Sequence, residues 1–174
     1  QGLLALADTH ACPLVGGDTT QGPLNLCITA WGEIPPGQAL LRSGARPGDD
    51  LFVSGTLGDA RLALEALQGR TSLPPTLLQA TRQRLEQPTP RIALGLALRG
   101  VASAALDVSD GLLGDLGHIL HASGVGACVD TSVTMKLIAA SALPESAECH
   151  FDPDFLHQCT LAGGDDYELL FTAP

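Results

Sequence analysis

Three times along this chain an apolar run meets a glycine-bearing turn that carries aspartate: Leu14-Val15-Gly16-Gly17-Asp18, Leu106-Asp107-Val108-Ser109-Asp110-Gly111 and Gly163-Gly164-Asp165-Asp166. In open α/β sheets ligands gather where strand ends meet loops, so acids far apart in sequence can converge on one site. Strand alternation puts Asp107 and Ser109 on one side, with Asp110 at the start of the helix that follows. Each aspartate also has a local use, because Asp and Gly favour turns and helix N-caps. The recurrence, rather than any single turn, is what points to a site.

Around these turns strands alternate with helices, which argues the α/β class, a mixed sheet flanked by helices. Residues 13–15 and the alternating segment 24–31 read as strands, and 51–53 as a short one. A helix over 59–68 places Ala60, Leu64 and Leu67 on one stripe and stops at Gly69. Pro74-Pro75 opens a second helix that runs to Gln87, and 91–99 forms a third, closed by Gly100. A strand over 104–109 turns at Asp110-Gly111 into a helix with Leu112, Leu113, Leu116, Ile119 and Leu120 facing inward and Gly124 as its cap. A strand near 127–129, a helix opening at Asp152-Pro153 and a strand over 167–172 complete the set. The stretch 32–37, with Pro35-Pro36, reads as a boundary.

With 174 residues the chain is long enough for one domain, or one plus part of another. Lys and Arg number 9 against 19 Asp and Glu, a net charge of −10 with no basic cluster, which argues against nucleic-acid or anionic-membrane partners. No apolar run approaches the roughly 18 residues of a membrane helix, so a soluble protein is expected. The 5 cysteines are scattered and never form a C-x-x-C pair, which suits reduced core thiols and a cytoplasmic location. The first residues lack a methionine and the features of a signal peptide, so a fragment cut at both ends is expected.

Clustered carboxylates repel one another unless a cation lies between them, so a convergent set predicts bound metal. Oxygen donors without His or Cys suit Mg²⁺ or Ca²⁺, and Mg²⁺ is the ion that keeps waters and shares substrate phosphates. The nucleotide-binding P-loop, the dinucleotide fingerprint and the G-x-S-x-G elbow are all absent. His118 and His121 sit three apart on a helix, where an ordinary polar face explains them as well as a metal does. Arg42 is a candidate for phosphate contact through its planar guanidinium, with a surface salt bridge as the alternative.

The chain resembles the thiamine-monophosphate kinase family, of the superfamily that includes aminoimidazole-ribonucleotide synthetase and selenophosphate synthetase. The resemblance runs through residues 14–24 (LVGGDTTQGPL), 41–49 (LRSGARPGD), 105–112 (ALDVSDGL), 115–119 (DLGHI) and 163–172 (GGDDYELLFT). It implies ATP-dependent phosphorylation of thiamine monophosphate to thiamine diphosphate, by direct γ-phosphoryl transfer with several Mg²⁺ ions, in a homodimer. It implies that Gly17, Asp18, Arg42 and Ser109 contact ATP, that Asp18, Asp107 and Asp110 bind Mg²⁺, and that Asp165 meets the substrate. No covalent enzyme nucleophile is implied, since the substrate phosphate can attack in line.

Where the family has Gly-Gly-Glu-Asp, this chain has Asp165, one methylene shorter. The resemblance also implies that residues 1–35 are the tail of an N-terminal ATP- and metal-binding domain and residues 36–174 most of a C-terminal α/β domain. Both are truncated relative to the family, so the isolated chain is expected to be inactive. The alternatives are an ATP-dependent enzyme like aminoimidazole-ribonucleotide synthetase, and a non-catalytic fragment that binds ligand or oligomerises.

Overall fold

The structure, a computed structural model, describes residues 2–144, 146, 149 and 151–174. The chain divides into two compact units, Gln1–Pro36 and Gly37–Pro174. The first holds one helix, α1 (Gly2–Thr9), closed by the Thr9 hydroxyl donating to the Ala5 carbonyl at 2.9 Å. The strands expected at 13–15 and 24–31 do not form, and Leu24, Leu26 and Ile28 are 94, 85 and 69% exposed. A strand is held by its ladder and by burial of one face. This segment forms no ladder with the described residues, so its alternation stays a pattern without a sheet.

The second unit is built on three strands, β1 (Asp50–Val53), β2 (Ala104–Val108) and β3 (Glu168–Ala173), in the order β1-β3-β2. Both pairings are antiparallel, with Phe52 opposite Phe171 on one side of β3 and Asp107 opposite Leu169 on the other. The α/β class holds, while no parallel pairing of a mixed sheet occurs among the described strands. The last strand in sequence inserts between the first two and runs against both.

Helix α5 (Leu112–Ser123) follows the β2 turn and covers the sheet. Its buried stripe of Leu112, Leu116 and Ile119 meets Ala104, Leu106, Val108 and Leu170 in one core cluster, and Gly124 ends it at φ +67°. Leu113, expected inside, is 49% exposed, because it follows Leu112 by 100° around the helix and leaves the stripe.

A second cluster joins α2 (Asp59–Leu67), α3 (Pro75–Glu86) and α7 (Pro153–Ala162) through Leu62, Leu77, Ile138 and Cys159. Ala60 is buried on α2 as expected, but Leu64 is only half-buried and Leu67 exposed. Leu62 and Ala63 fill the interior instead, since α2 packs against both α3 and α7 and needs a broader face than one stripe. Proline opens α3 and α7, and the Asp152 carboxylate caps α7 by accepting the Asp154 N–H at 3.0 Å. Between α3 and β2 lies the short α4 (Ile92–Ala97).

The strand expected at 127–129 is absent; a short helix, α6 (Thr131–Thr134), and two 3₁₀ turns (Met135–Leu137, Ala139–Ala142) follow that stretch. Of the cysteines read as core thiols only Cys159 is buried, and Cys12, Cys27 and Cys128 are exposed. Among the described residues no helix is long and apolar enough to cross a membrane.

Candidate functional site

Two of the three aspartate turns interlock. The Asp165 N–H donates to the Ser109 carbonyl and the Tyr167 N–H to the Val108 carbonyl, each at 3.0 Å. Glycine is what permits the approach: a Cβ on Gly164 would lie 2.5 Å from the Ser109 carbonyl oxygen, and one on Gly111 2.9 Å from the Ala162 carbonyl carbon. On the far side of this contact the backbone is in the left-handed region at Asp165 (φ +71°) and Tyr167 (φ +51°). Aspartate tolerates that region, whereas for tyrosine it costs on the order of 1–3 kcal/mol that the surrounding contacts must offset.

The interlock leaves Asp107 and Asp110 facing solvent. Neither carboxylate makes a side-chain hydrogen bond or ion pair with the described residues, although Asp107 is held in the β2 ladder opposite Leu169 and Asp110 sits in a well-held turn. The hold comes from Asp115, on the first turn of α5 and 3% exposed. Its Oδ2 accepts the N–H groups of Ser109, Asp110 and Gly111 at 3.0, 3.1 and 3.1 Å.

Buried acids back the third turn. Asp166 accepts the N–H of Gly58 at 2.6 Å and of Ala60 at 3.2 Å, tying the turn to the start of α2. Burial pushes its carboxyl up to about 6, against the pull of those two N–H groups and with the help of the nearby Asp59 charge. Asp59 is itself held by the Thr56 hydroxyl and by the N–H groups of Ala139 and Ala140, each at 3.0 Å.

Glu168, 1% exposed, receives the Ser54 hydroxyl at 2.5 Å and the guanidinium groups of Arg84 and Arg91 at 2.6 Å. Burial alone would raise its carboxyl, but the hydrogen bonds from Arg91, Ser54 and Arg84 hold it below the usual value. The Arg84 and Arg91 partners of this acid lie 84 and 77 residues away, which left the cluster invisible to sequence spacing.

Arg42 is exposed on the loop before β1. Ser123, the last residue of α5, fixes that loop: its hydroxyl accepts the N–H groups of Gly44 and Ala45 at 3.1 Å and donates to the Arg42 carbonyl at 3.3 Å. Helix α5 therefore holds the Asp110 turn at one end and the Arg42 loop at the other.

Gly17, at φ +151°, and Asp18 are exposed residues of the first unit. Ser109 is half-buried and Asp165 likewise. Among the described residues no three His, Cys, Asp or Glu side chains come together as a ready cation site. His118 and His121 are both exposed on α5.

The fold is thus an α/β domain in which the turn after β2 and the turn before β3 interlock at one end of an antiparallel sheet, with Asp107 and Asp110 without side-chain partners among the described residues. No protein-family model matches the chain. The thiamine-monophosphate kinase of Salmonella typhimurium is 47% identical over 175 residues, 99% of this chain and 51% of that protein. The backbone of thiamine-monophosphate kinase from Stenotrophomonas maltophilia superposes with a TM-score of 0.87 at 50% identity, covering 99% of this chain and 54% of the other. AaThiL complexed with AMPPCP and TMP gives a TM-score of 0.58 at 33% identity over 78% of this chain and 42% of its own. Over 99% of its length the chain is similar to these thiamine-monophosphate kinases, and it spans about half the length of the curated relatives it matches.

Proposed function

We propose that the protein phosphorylates thiamine monophosphate to thiamine diphosphate with ATP, as a homodimer in the cytoplasm. The observation that carries this reading is the interlocked pair of turns, with Asp107 and Asp110 exposed and without side-chain partners among the described residues. In this reading Gly17, Asp18, Arg42 and Ser109 hold ATP, and Asp165 accepts a hydrogen bond from the substrate. Asp18, Asp107 and Asp110 hold Mg²⁺. Hard, solvent-facing carboxylates fit an ion that retains several waters. Bound there, Mg²⁺ neutralises phosphate charge and orients phosphate oxygens.

The chain's own part is to position and screen. Arg42 offers a planar fork of donors to a phosphate in a protein of net charge −10. The substrate phosphate oxygen attacks the γ-phosphorus, the bond to ADP breaks, and no side chain is consumed. The curated relatives it matches are about twice this length.

Calorimetric titration of the intact protein with a non-hydrolysable ATP analogue, with and without Mg²⁺, tests the reading together with a thiamine-monophosphate turnover assay. Binding that requires Mg²⁺ and weakens at least about tenfold in Asp107→Asn and in Asp110→Asn is expected. Binding indifferent to Mg²⁺ and to both substitutions would overturn it.

A further inference from the structure

We infer that Asp115 is the positioning residue of the site: a buried carboxylate that touches neither nucleotide nor metal and sets the backbone that presents Ser109 and Asp110. The inference rests on the functional reading above for its consequence, and on geometry for its substance. One oxygen of Asp115 accepts three consecutive backbone N–H groups, Ser109, Asp110 and Gly111, at 3.0 to 3.1 Å. Three donors converging on one oxygen make a concave nest of partial positive charge, and a carboxylate is the side chain that fits it. The Asp115 N–H in turn donates to the Gly111 carbonyl at 3.0 Å, so turn and helix hold each other from both sides.

The same turn passes the constraint on. Ser109 gives its N–H to Asp115 and its carbonyl to the Asp165 N–H at 3.0 Å, which places the GGDD turn one hydrogen bond beyond Asp115. Asp115 is thus unlike Asp107 and Asp110, which are exposed and without side-chain partners among the described residues. An acid whose inner oxygen is saturated by N–H groups and whose side chain is 3% exposed is a poor metal ligand and a good anchor. Without it three N–H groups, the Gly111 one buried, lose their acceptor, and the turn relaxes toward solvent.

Two readouts on the intact protein test this, using Asp115→Asn and Asp115→Ala. The first, amide hydrogen exchange, needs no ligand. Asp115→Ala is expected to speed exchange at Ser109, Asp110, Gly111 and Asp165 at least about a hundredfold while the α7 amides stay protected, and Asp115→Asn, which keeps one acceptor oxygen, falls between. The second is affinity for a non-hydrolysable ATP analogue at fixed Mg²⁺, expected to weaken about tenfold or more in Asp115→Ala and less in Asp115→Asn.

Leu77→Ala, in the other core cluster, is the control for lost stability, and its affinity is expected to stay within about twofold. If Asp115→Ala does not fold, Asp115→Asn carries both readouts. Unchanged exchange at the turn, or a loss of affinity in Leu77→Ala equal to that in the Asp115 variants, overturns the inference. A wild type that exchanges as expected yet binds no nucleotide overturns the functional reading and leaves the anchor standing.

Discussion

The backbone N–H of Asp165 donates to the carbonyl oxygen of Ser109 at 3.0 Å, joining two turns that lie 56 residues apart in the sequence. Because Gly164 precedes Asp165, the backbone carrying Ser109 can come within van der Waals range where any side chain would intrude. The contact holds the backbone just before Asp110 against that of Asp165.

Gly164→Ala is expected to destabilise the fold by about 1–3 kcal/mol, since the new Cβ meets backbone rather than a movable side chain. Gly114→Ala, on α5 with open space around it, is expected to go the other way by about 0.5–1 kcal/mol through helix propensity. Urea denaturation of both variants checks the pair, and equal signs would contradict the crowding argument.

Glu168→Ala removes the acceptor shared by Arg84, Arg91 and Ser54 and leaves two guanidinium groups facing one another. A loss of about 3–5 kcal/mol is expected. Since the folded carboxyl lies below its ordinary value of 4.5, its contribution is full above that pH and disappears as pH falls through the lower folded value. In the variant, the part of acid destabilisation that lies below pH 4.5 is expected to flatten. Denaturation midpoints across an acid pH series test this.

Asp166 works with the opposite sign. Its folded carboxyl titrates near 6 against 3.8 ordinarily, so the native state binds the extra proton and loses stability as pH rises through that window. About two units correspond to roughly 2–3 kcal/mol, present in full at neutral pH as a cost. Carbon-detected NMR of the Asp166 carboxyl is expected to show the raised midpoint. Asp59→Asn is expected to lower that midpoint without restoring 3.8, because burial is the larger cause. A midpoint at the ordinary value in the wild type would contradict the burial argument.

Asp165→Glu puts the residue that the resemblance implies at a left-handed position, φ +71°, that aspartate accepts more readily. A stability loss below about 1 kcal/mol and a change in KM for the substrate with kcat nearly unchanged are expected, the pattern of an altered ground-state contact. Steady-state kinetics with substrate varied at saturating ATP decides it; an equal fall in kcat would assign Asp165 a role in the reacting geometry instead.

Much of the framework was legible because its signals are local. Prolines at the starts of α3 and α7, Gly124 after α5 and the Asp152 cap each act within one turn of chain, and the structure has helices at those places. The apolar run of β2 and its Asp110-Gly111 turn were readable for the same reason. Failures occurred where a partner decides. Residues 24–31 alternate as a strand does, yet form no ladder with the described residues, and Leu113 reads as core until the neighbour of α5 is known. Asp115 could have been suspected from an acid in the first turn of a helix that follows an aspartate-glycine turn. Nothing in the spacing of Ser54, Arg84, Arg91 and Glu168 announces that they meet.

By itself the sequence determined the helix boundaries at proline and glycine, the run of β2 into its aspartate turn, and the motifs that mark the family, since all of these are properties of neighbouring residues. The tertiary structure alone decided which acids are used up and which are left over. Asp166 and Glu168 are consumed by N–H groups and guanidinium partners brought from elsewhere in the fold and Asp115 by the turn just before its own helix, while Asp107 and Asp110 remain without side-chain partners among the described residues at the end of the sheet. A carboxylate's role depends on the donors that surround it, and chain topology, not sequence distance, supplies those donors.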